Sequence, residues 1–545
     1  MVVDGYHRGE DRPWFGIGEQ GHLSAFRRGQ LARHPAETSG HGAPRISDMG
    51  VILDAGPADC GSGRIGLFVD GGSRPGAEAS YPVVNPARPA EVVLEAPAAS
   101  PDQLDEAVAA ATRAQVAWGL LEPAERAAKL CEATVAAERM VEGLGLARLL
   151  TRENGKVLWE SELDLGVMAG MAAAMGPLAT QALEPEVIDP SPQRSLTVER
   201  IPQGVLAAIL PFNWPVSVLG AKVLPALLAG NAVVVKTPPT CPGAALVMGA
   251  ALAACLPRGL LGMLNGPGPE LGRALVSHPG IDMVSFTGGI LGGRAVMAAA
   301  AASAKPLVLE LGGNDPAIVA PDMEVDELLA GRLFDAAFVT SGQVCMAIKR
   351  IYAPEEKVEA LCEALASRLS DELVGDGLAE GVTMGPVHRR EAAERAEESV
   401  REAIGRGARV QRTARLRRED VEAGGYLVSP AIVVDPPEDA SVVADELFAP
   451  VLPVVGYVDT DGALDQANST DYGLSGSVWS HDLDLAVGLA RRLRVGTVFL
   501  NSHGMAAMDH RAPFGGLGAS GFGVELGEEG MRAFTRPRVL REAPF

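Results

Sequence analysis

From about residue 195 to about residue 501, short β-rich runs alternate with helix-length segments, and this alternation limits what the chain can fold into. Residues 195–201 alternate polar and apolar in strand fashion. Residues 205–210, 232–235, 261–265 and 283–287 are short β-branched or apolar runs, and helix-like stretches at 221–229 and 243–255 lie between them. A second series starts at 306–311 and runs to about Asn501. Strands separated by helices of this length predict parallel sheets with crossover helices, an α/β fold. Before the series the chain reads as helical. Ser100-Pro101-Asp102-Gln103 is a capping box with Pro in the first turn. Leu104, Val108, Ala111 and Val116 then fall roughly on one face, and one further helix is expected from about Pro123 to Glu153. The Arg- and Glu-rich stretch 389–421 reads as solvent-facing helix.

Composition narrows the function. A net charge of −22 argues against nucleic acid, whose phosphates need a basic surface. The six cysteines show no CxxC and no metal-ligand spacing with histidine, so neither a disulfide framework nor a metal site is expected, and a reducing cytoplasm fits. The uncharged stretches 201–221 and 237–257 carry internal prolines or short apolar centres and read as buried core, not membrane spans. Residues 1–64 lack a sustained period and are expected to be a flexible extension, with Met49 a candidate start. The first ten residues lack the apolar core of a signal peptide.

Three residues offer carbonyl chemistry. Cys345, in Ser341-Gly342-Gln343-Val344-Cys345, is a thiol nucleophile whose pKa a helix start or nearby cation would lower. Glu310 ends an apolar strand before Gly312-Gly313 and is a candidate general base for water. Asn213, between Phe212 and Trp214, is a candidate oxyanion donor beside the Cys345 N–H. Lys222 and Lys236 are two of only seven lysines and follow apolar runs; Lys236 ends a strand, where a sheet-top ligand would sit. Phe286-Thr287-Gly288-Gly289 is a strand followed by a glycine turn, able to present N–H groups to a pyrophosphate. Gly266-Pro267-Gly268 is a second turn of this kind.

Together these segments, with Arg350 after the cysteine, Glu446-Leu447-Phe448-Ala449-Pro450 and Pro513-Phe514-Gly515-Gly516, resemble the aldehyde dehydrogenase superfamily from about residue 65 onward. The pair Asn314-Asp315 and the triplets Ile348-Lys349-Arg350 and Asn501-Ser502-His503 are most similar to an actinomycete-type bacterial subgroup. The resemblance implies a Rossmann-like cofactor domain over 65–184 and 202–307 and an α/β catalytic domain over 308–500. It also implies a β-strand oligomerisation arm from 185–201 and 528–545, and a substrate-tunnel loop and linker over 501–527. It implies that Cys345, Glu310, Asn213 and Lys222 form the catalytic centre. NAD would be held by Leu210, Pro211, Trp214, Lys236, Gly266, Gly268, Phe286, Thr287, Gly288, Gly289, Leu311, Glu446 and Phe448. Trp214, Val344, Met346, His503, Arg511 and Phe514 would face a small-molecule aldehyde, and a homodimer or homotetramer is expected.

The departures fall in the cofactor site. Pro239 stands where many NAD-preferring members have Glu, and Gly289-Ile290 replaces the usual Ser-Thr. NADP is therefore not excluded, although no Arg or Lys follows Lys236 until Arg258. The ionisable His503, Asp509, His510 and Arg511 before Pro513 suggest a polar or anionic substrate. Two alternatives stand at this level: a CoA-acylating enzyme, against which Glu310 argues, and a non-enzymatic descendant, against which the intact Cys345, Glu310 and Asn213 argue.

Overall fold

The computed structural model describes residues 65–191 and 195–542; the expected extension over 1–64 lies outside them. Two mainly parallel sheets organise the chain. The first has eight strands in the order Gly72–Arg74, Leu67–Val69, Leu261–Leu264, Ala232–Lys236, Val205–Ile209, Met283–Thr287, Leu307–Glu310, Gly521–Phe522. Its central strands are parallel, and the segments 67–69 and 521–522 close the edges in antiparallel fashion. Val205–Ile209, Ala232–Lys236 and Leu261–Leu264 are buried throughout, as expected of strands covered on both faces.

The second sheet has seven strands in the order Arg409–Gln411, Ala431–Val434, Val451–Tyr457, Ile348–Pro354, Asp315–Val319, Ser475–Trp479, Thr497–Leu500. The strand Leu307–Glu310 pairs with Met283–Thr287, so the first sheet extends past residue 307, where the second unit was expected to begin. Gly521–Phe522 then returns from late in the chain to the same sheet, beside Glu310. Part of the segment expected as tunnel loop is thus a strand of the first sheet.

Registers place the site. Ile209 pairs with Lys236, Lys236 with Leu264, Phe286 with Ile209 and Thr287 with Glu310. The carboxyl ends of five parallel strands therefore finish level, and ligands of such sheets bind outside that edge.

The capping box at Ser100 is present and opens the helix Pro101–Gly119, with Leu104, Val108 and Ala111 buried. Val116 is 63% exposed and leaves that face. The single helix expected over 123–153 is two, Pro123–Val141 and Leu146–Asn154. Gly143 (φ 79°) and Gly145 (φ 69°) lie between them in the left-handed region, which ends a right-handed helix. The charged stretch 389–421 likewise breaks after the helix Arg390–Gly405, at Gly407 (φ 99°), into the edge strand Arg409–Gln411 and the short helix Arg418–Glu422. The apolar helical segment 158–183 has the composition of a membrane span, but Met168, Met171, Ala172, Met175 and Ala179 are buried within the protein.

Glu186–Asp189, Leu196–Pro202 and Thr535–Arg541 form a separate antiparallel sheet, with Leu196–Pro202 in the middle. It carries exposed Val187, Ile188, Val539 and Leu540.

Candidate active site

Cys345 lies in a turn between Phe338 and the strand Ile348–Pro354. It is partly exposed, whereas Cys241 and Cys362 are buried. The backbone just before it is strained: Thr340, Ser341 and Gly342 all have left-handed φ, at 51°, 57° and 72°. Each such non-glycine residue costs about 1–3 kcal/mol and persists only where its surroundings over-determine it. Here they do. Glu160 Oε1 accepts the Thr340 N–H at 2.6 Å, Trp214 Nε1 donates to Thr340 Oγ1 at 3.1 Å, and Ser341 Oγ donates to the Gly385 carbonyl at 2.8 Å. Gln343 Oε1 accepts the His388 N–H at 2.9 Å. A Cβ on Gly342 would lie 2.6 Å from the Ala449 carbonyl oxygen, so the turn packs directly on the loop that carries Glu446 and Phe448.

The cysteine is not at a helix start. Burial pushes its thiol up to about 12; the Lys349 ammonium pulls it down, while Glu446, Asp315 and Glu310 push it further up. The expectation of a depressed thiol pKa is thus corrected: the cation is present, but desolvation outweighs it.

Glu310 ends its strand 5% exposed, with no hydrogen-bond partner for either carboxylate oxygen among the described residues. Burial, and next the Glu525 carboxylate, hold its pKa well above the carboxylate range, against the pull of Lys222. Asn213 Nδ2 donates to the Gln343 carbonyl at 2.9 Å, two residues before the cysteine. A side-chain amide has two donors, so one remains.

Lys222 is fully buried. Its Nζ reaches Glu525 Oε1 at 2.6 Å and Ser285 Oγ at 2.9 Å, and Ser285 also donates to Glu525 at 2.7 Å. This ion pair ties the returning C-terminal segment to the first sheet beside Glu310. Lys222→Met would leave Glu525 buried and uncompensated, which costs about 3–5 kcal/mol. Urea unfolding should show a lowered midpoint for Lys222→Met, largely recovered in Lys222→Met/Glu525→Gln. An unchanged midpoint in the single variant would remove the pair from the stabilising interactions.

Most of the expected cofactor residues lie at or just after the carboxyl ends of strands of the first sheet, whereas Glu446 and Phe448 lie in the segment before the second sheet's strand Val451–Tyr457. Lys236 is 5% exposed, its Nζ bonds only the Thr237 carbonyl, at 3.3 Å, among the described residues, and burial lowers its pKa to about 8. The Phe286 ring lies under the glycine turn, so a Cβ on Gly288 or Gly292 would meet it at 2.6 or 2.9 Å. Gly289 caps the helix Ile290–Ala301 without a side-chain bond. The N–H groups of Ile290, Leu291 and Gly292 have no acceptor among the described residues. Leu311 packs against Gly293 of that helix. Leu210 N–H bonds the Lys236 carbonyl at 3.1 Å. Gly266 and Gly268 follow the Leu261–Leu264 strand, Gly268 with φ 66°. Glu446 Oε1 accepts the Gly313 N–H at 3.1 Å, and Phe448 meets Phe212 edge-on at 5.9 Å. Phe212 in turn stacks on His388 at 4.2 Å. Pro211 precedes Phe212 and Trp214 follows two residues on, buried with the Lys156 ammonium 3.9 Å from its ring centre.

The expected substrate residues divide. Val344 and Met346 flank Cys345 and are buried, as is Phe514, whose backbone bridges to Glu525. His503 is 5% exposed and packs against the cysteine turn, with Nε2 on the Met346 carbonyl at 3.0 Å. Arg511 is on the surface with its guanidinium bonded to Asp509 at 2.6 Å. Of the ionisable groups expected to face the substrate, His503 is thus bonded to backbone and Arg511 to Asp509.

Sequence reasoning missed Glu525, Glu160 and His388, and noted Lys349 without a role. Lys349 carried the clearest signal, a lysine between Ile348 and Ile351 in a strand buried along its whole length.

Two mainly parallel sheets, a strained cysteine turn and a buried carboxylate without a partner among the described residues make an α/β fold that brings candidate groups for carbonyl chemistry together. The sequence model of the aldehyde dehydrogenase family matches residues 74–540, and the chain belongs to that family. It is an oxidoreductase acting on aldehydes. It is 37% identical over 451 residues to the geranial dehydrogenase of Castellaniella defragrans, covering 82% of this chain and 92% of the relative. It is 33% identical to the glutarate-semialdehyde dehydrogenase of Pseudomonas aeruginosa, covering 84% and 93%. The crystal structure of betaine aldehyde dehydrogenase from Staphylococcus aureus in complex with NAD+ superposes with a TM-score of 0.82 at 29% identity, over 88% of this chain and 95% of that one. An E. coli NADP-dependent enzyme also gives 0.82, at 30% identity over 88% and 98%.

Proposed function

We propose that Cys345, Glu310 and Asn213 oxidise an aldehyde to its carboxylic acid through a cysteine-bound thioester resolved by water. The observation that carries this reading is Glu310, a buried carboxylate with two unpartnered oxygens on the sheet edge, in the electrostatic field of Cys345. The Cys345 thiolate attacks the aldehyde carbon. The free donor of Asn213 and the Cys345 N–H hold the resulting oxyanion. A bound nicotinamide dinucleotide supplies the hydride acceptor. Glu310 then takes a proton from water, which attacks the thioester and releases the acid. CoA in place of water would give the acylating alternative, and it leaves Glu310 without a task. NADH formation over an aldehyde panel, with and without CoA, tests the reading; strict CoA dependence overturns it.

The residues fit such a cofactor. The unpaired N–H groups at 290–292 suit a pyrophosphate, and buried Lys236, short of partners, suits ribose hydroxyls. We take NAD as the cofactor, as in the S. aureus neighbour. Pro239 removes a carboxylate that would repel a 2′-phosphate, so selection against NADP should be mild; the E. coli neighbour is NADP-dependent. The expected result is a higher kcat/KM with NAD than with NADP. A preference for NADP above about tenfold, roughly 1.4 kcal/mol, would reverse the assignment.

Substrate names among the relatives range from geranial to glutarate semialdehyde, and the site selects no single one of them. The domain limits set out from the sequence serve as our working division, with Leu307–Glu310 and Gly521–Phe522 assigned to the first unit. The three-stranded sheet with its exposed Val187, Ile188, Val539 and Leu540 is the surface on which a homodimer or homotetramer would form, because open edges and apolar side chains need a partner. We place the enzyme in the cytoplasm, in keeping with its unpaired cysteines.

A further inference from the structure

Three segments far apart in sequence meet behind the cysteine turn: Asp315, Lys349 and His503. Lys349 Nζ donates to the carbonyls of Val344 and Cys345, each at 2.8 Å, and of Ala347 at 3.3 Å. His503 Nε2 takes the carbonyl between them, Met346, at 3.0 Å. Asn213 holds the Gln343 carbonyl. Five consecutive carbonyls, from 343 to 347, are therefore each held by a side-chain donor.

This array has a geometric consequence. In a trans peptide the C=O and the following N–H lie in one plane and point in opposite directions, and every described peptide bond is trans. With the Val344 and Cys345 carbonyls on the Lys349 ammonium, the Cys345 and Met346 N–H groups are turned away from it. Neither N–H has an acceptor among the described residues. The cysteine turn thus presents two unpaired donors on the side opposite the lysine.

The charge is also confined. Lys349 is 8% exposed, and no carboxylate makes a direct ion pair with it among the described residues. Asp315 is spent on Ser475, with its second oxygen unpartnered, and lies 3.9 Å from His503. His503 Nδ1 has no partner among the described residues. Burial and the lysine hold His503 far below its usual pKa, to about 3, so it stays neutral and donates through Nε2. The groups whose charge reaches Cys345 are Lys349, Glu446, Asp315 and Glu310, and Lys349 is the one cation among them. Nothing in the acid-forming steps needs a lysine here, yet the ammonium is buried against the backbone of the nucleophile. A Cβ at Gly313 would fall 2.5 Å from the Cys345 carbonyl oxygen and 2.6 Å from Asp315 Oδ1, so the space behind the turn is already filled.

We infer that Lys349 and His503 are positioning residues for the aldehyde-oxidising reaction. They hold the cysteine turn with its N–H groups facing the oxyanion, and the lysine charge favours the thiolate. This inference rests on Cys345 being the nucleophile. It separates two effects: Lys349 acts through charge and orientation, whereas neutral His503 acts through orientation alone.

The test uses the full-length enzyme and two readouts. One is the rate of Cys345 alkylation by iodoacetamide at a fixed pH of about 8, scored on the Cys345 peptide by mass; it needs no turnover. The other is the rate of the pre-steady-state NADH burst. Lys349→Met should slow alkylation by at least about tenfold and slow the burst about 100-fold, the scale of losing one oxyanion donor. The KM for NAD should hold. Lys349→Arg should recover most of the alkylation rate but only part of the burst rate, because its planar fork cannot reach the same three carbonyls. His503→Phe should slow the burst about tenfold and leave the alkylation rate in place. A Lys349→Met enzyme with alkylation and burst rates both within about twofold of wild type overturns the inference. If Lys349→Met does not fold, His503→Phe and Lys349→Arg decide, and wild-type burst rates in both overturn it. Failure of Cys345 itself as nucleophile would show separately, as activity in Cys345→Ala.

Discussion

Cys345→Ala should abolish aldehyde oxidation while leaving the fold and NAD affinity intact. Losing a covalent nucleophile removes the route, not a fraction of the rate, so the loss should exceed about 1000-fold in kcat. Stability should hold because the side chain is partly exposed and makes no hydrogen bond that the turn depends on. The strained residues 340–342 are held instead by Glu160, Trp214 and Gly385, none of which the substitution touches. Activity by NADH absorbance, cofactor binding by fluorescence quenching and the melting temperature measure the three quantities. Turnover above about one per cent of wild type would remove the covalent mechanism.

Glu310→Gln should stall after hydride transfer. The expected trace is a burst of about one NADH per site, then a steady state slower by about 100-fold or more, the usual contribution of a general base. The amide keeps the shape of the side chain and introduces no charge. In the wild-type enzyme, deacylation needs Glu310 ionised, and burial with Glu525 holds its pKa well above the carboxylate range. Steady-state turnover should therefore rise with pH through that elevated pKa, and the variant should lack this limb. Stability gives an independent check. A carboxyl whose folded-state pKa is raised contributes stability fully below its unfolded pKa, and that contribution is lost as pH rises through the folded value. Glutamine does not ionise, so the melting temperature of Glu310→Gln relative to wild type should climb as pH rises. A steady-state rate equal to wild type would assign the base elsewhere, or show that deacylation does not limit.

The deacylation limb and the alkylation rate of Cys345 report on separate sites. Both sites are raised by burial, but the cysteine has Lys349 beside it and the glutamate has Lys222. In the proposed mechanism the two lysines would act on separate halves of the reaction, Lys349 at the nucleophile and Lys222 at the base.

Much of the architecture was legible in the residues. The alternation of strand-like and helix-like runs after residue 195 implied parallel sheets, because side-chain period and segment length are local properties of the chain. The Ser100 capping box was equally local and is present as read. The break at Gly143 and Gly145 was on the page too, yet the surrounding Ala, Glu and Leu pattern overrode it, since helical period continues on both sides of a left-handed turn. The proposed roles of Cys345, Glu310 and Asn213 came from resemblance, since a thiol, a carboxylate and an amide are each common and only their company is distinctive.

What only the tertiary structure decided is which distant groups share a buried volume. Asp315, Lys349 and His503 span nearly two hundred positions, and Lys222 finds Glu525 303 residues away. The same applies to the thiol: a lysine four residues on reads as a pKa-lowering neighbour, but the desolvation that outweighs it exists only once the turn is packed. His503 and Arg511, eight residues apart, looked alike in sequence, and the fold buried one against a backbone carbonyl and left the other with Asp509 in solvent. Local pattern sets backbone conformation through interactions a few residues long. Burial and charge energies depend on packing partners, and in this chain those are set by how the strands are ordered in the two sheets.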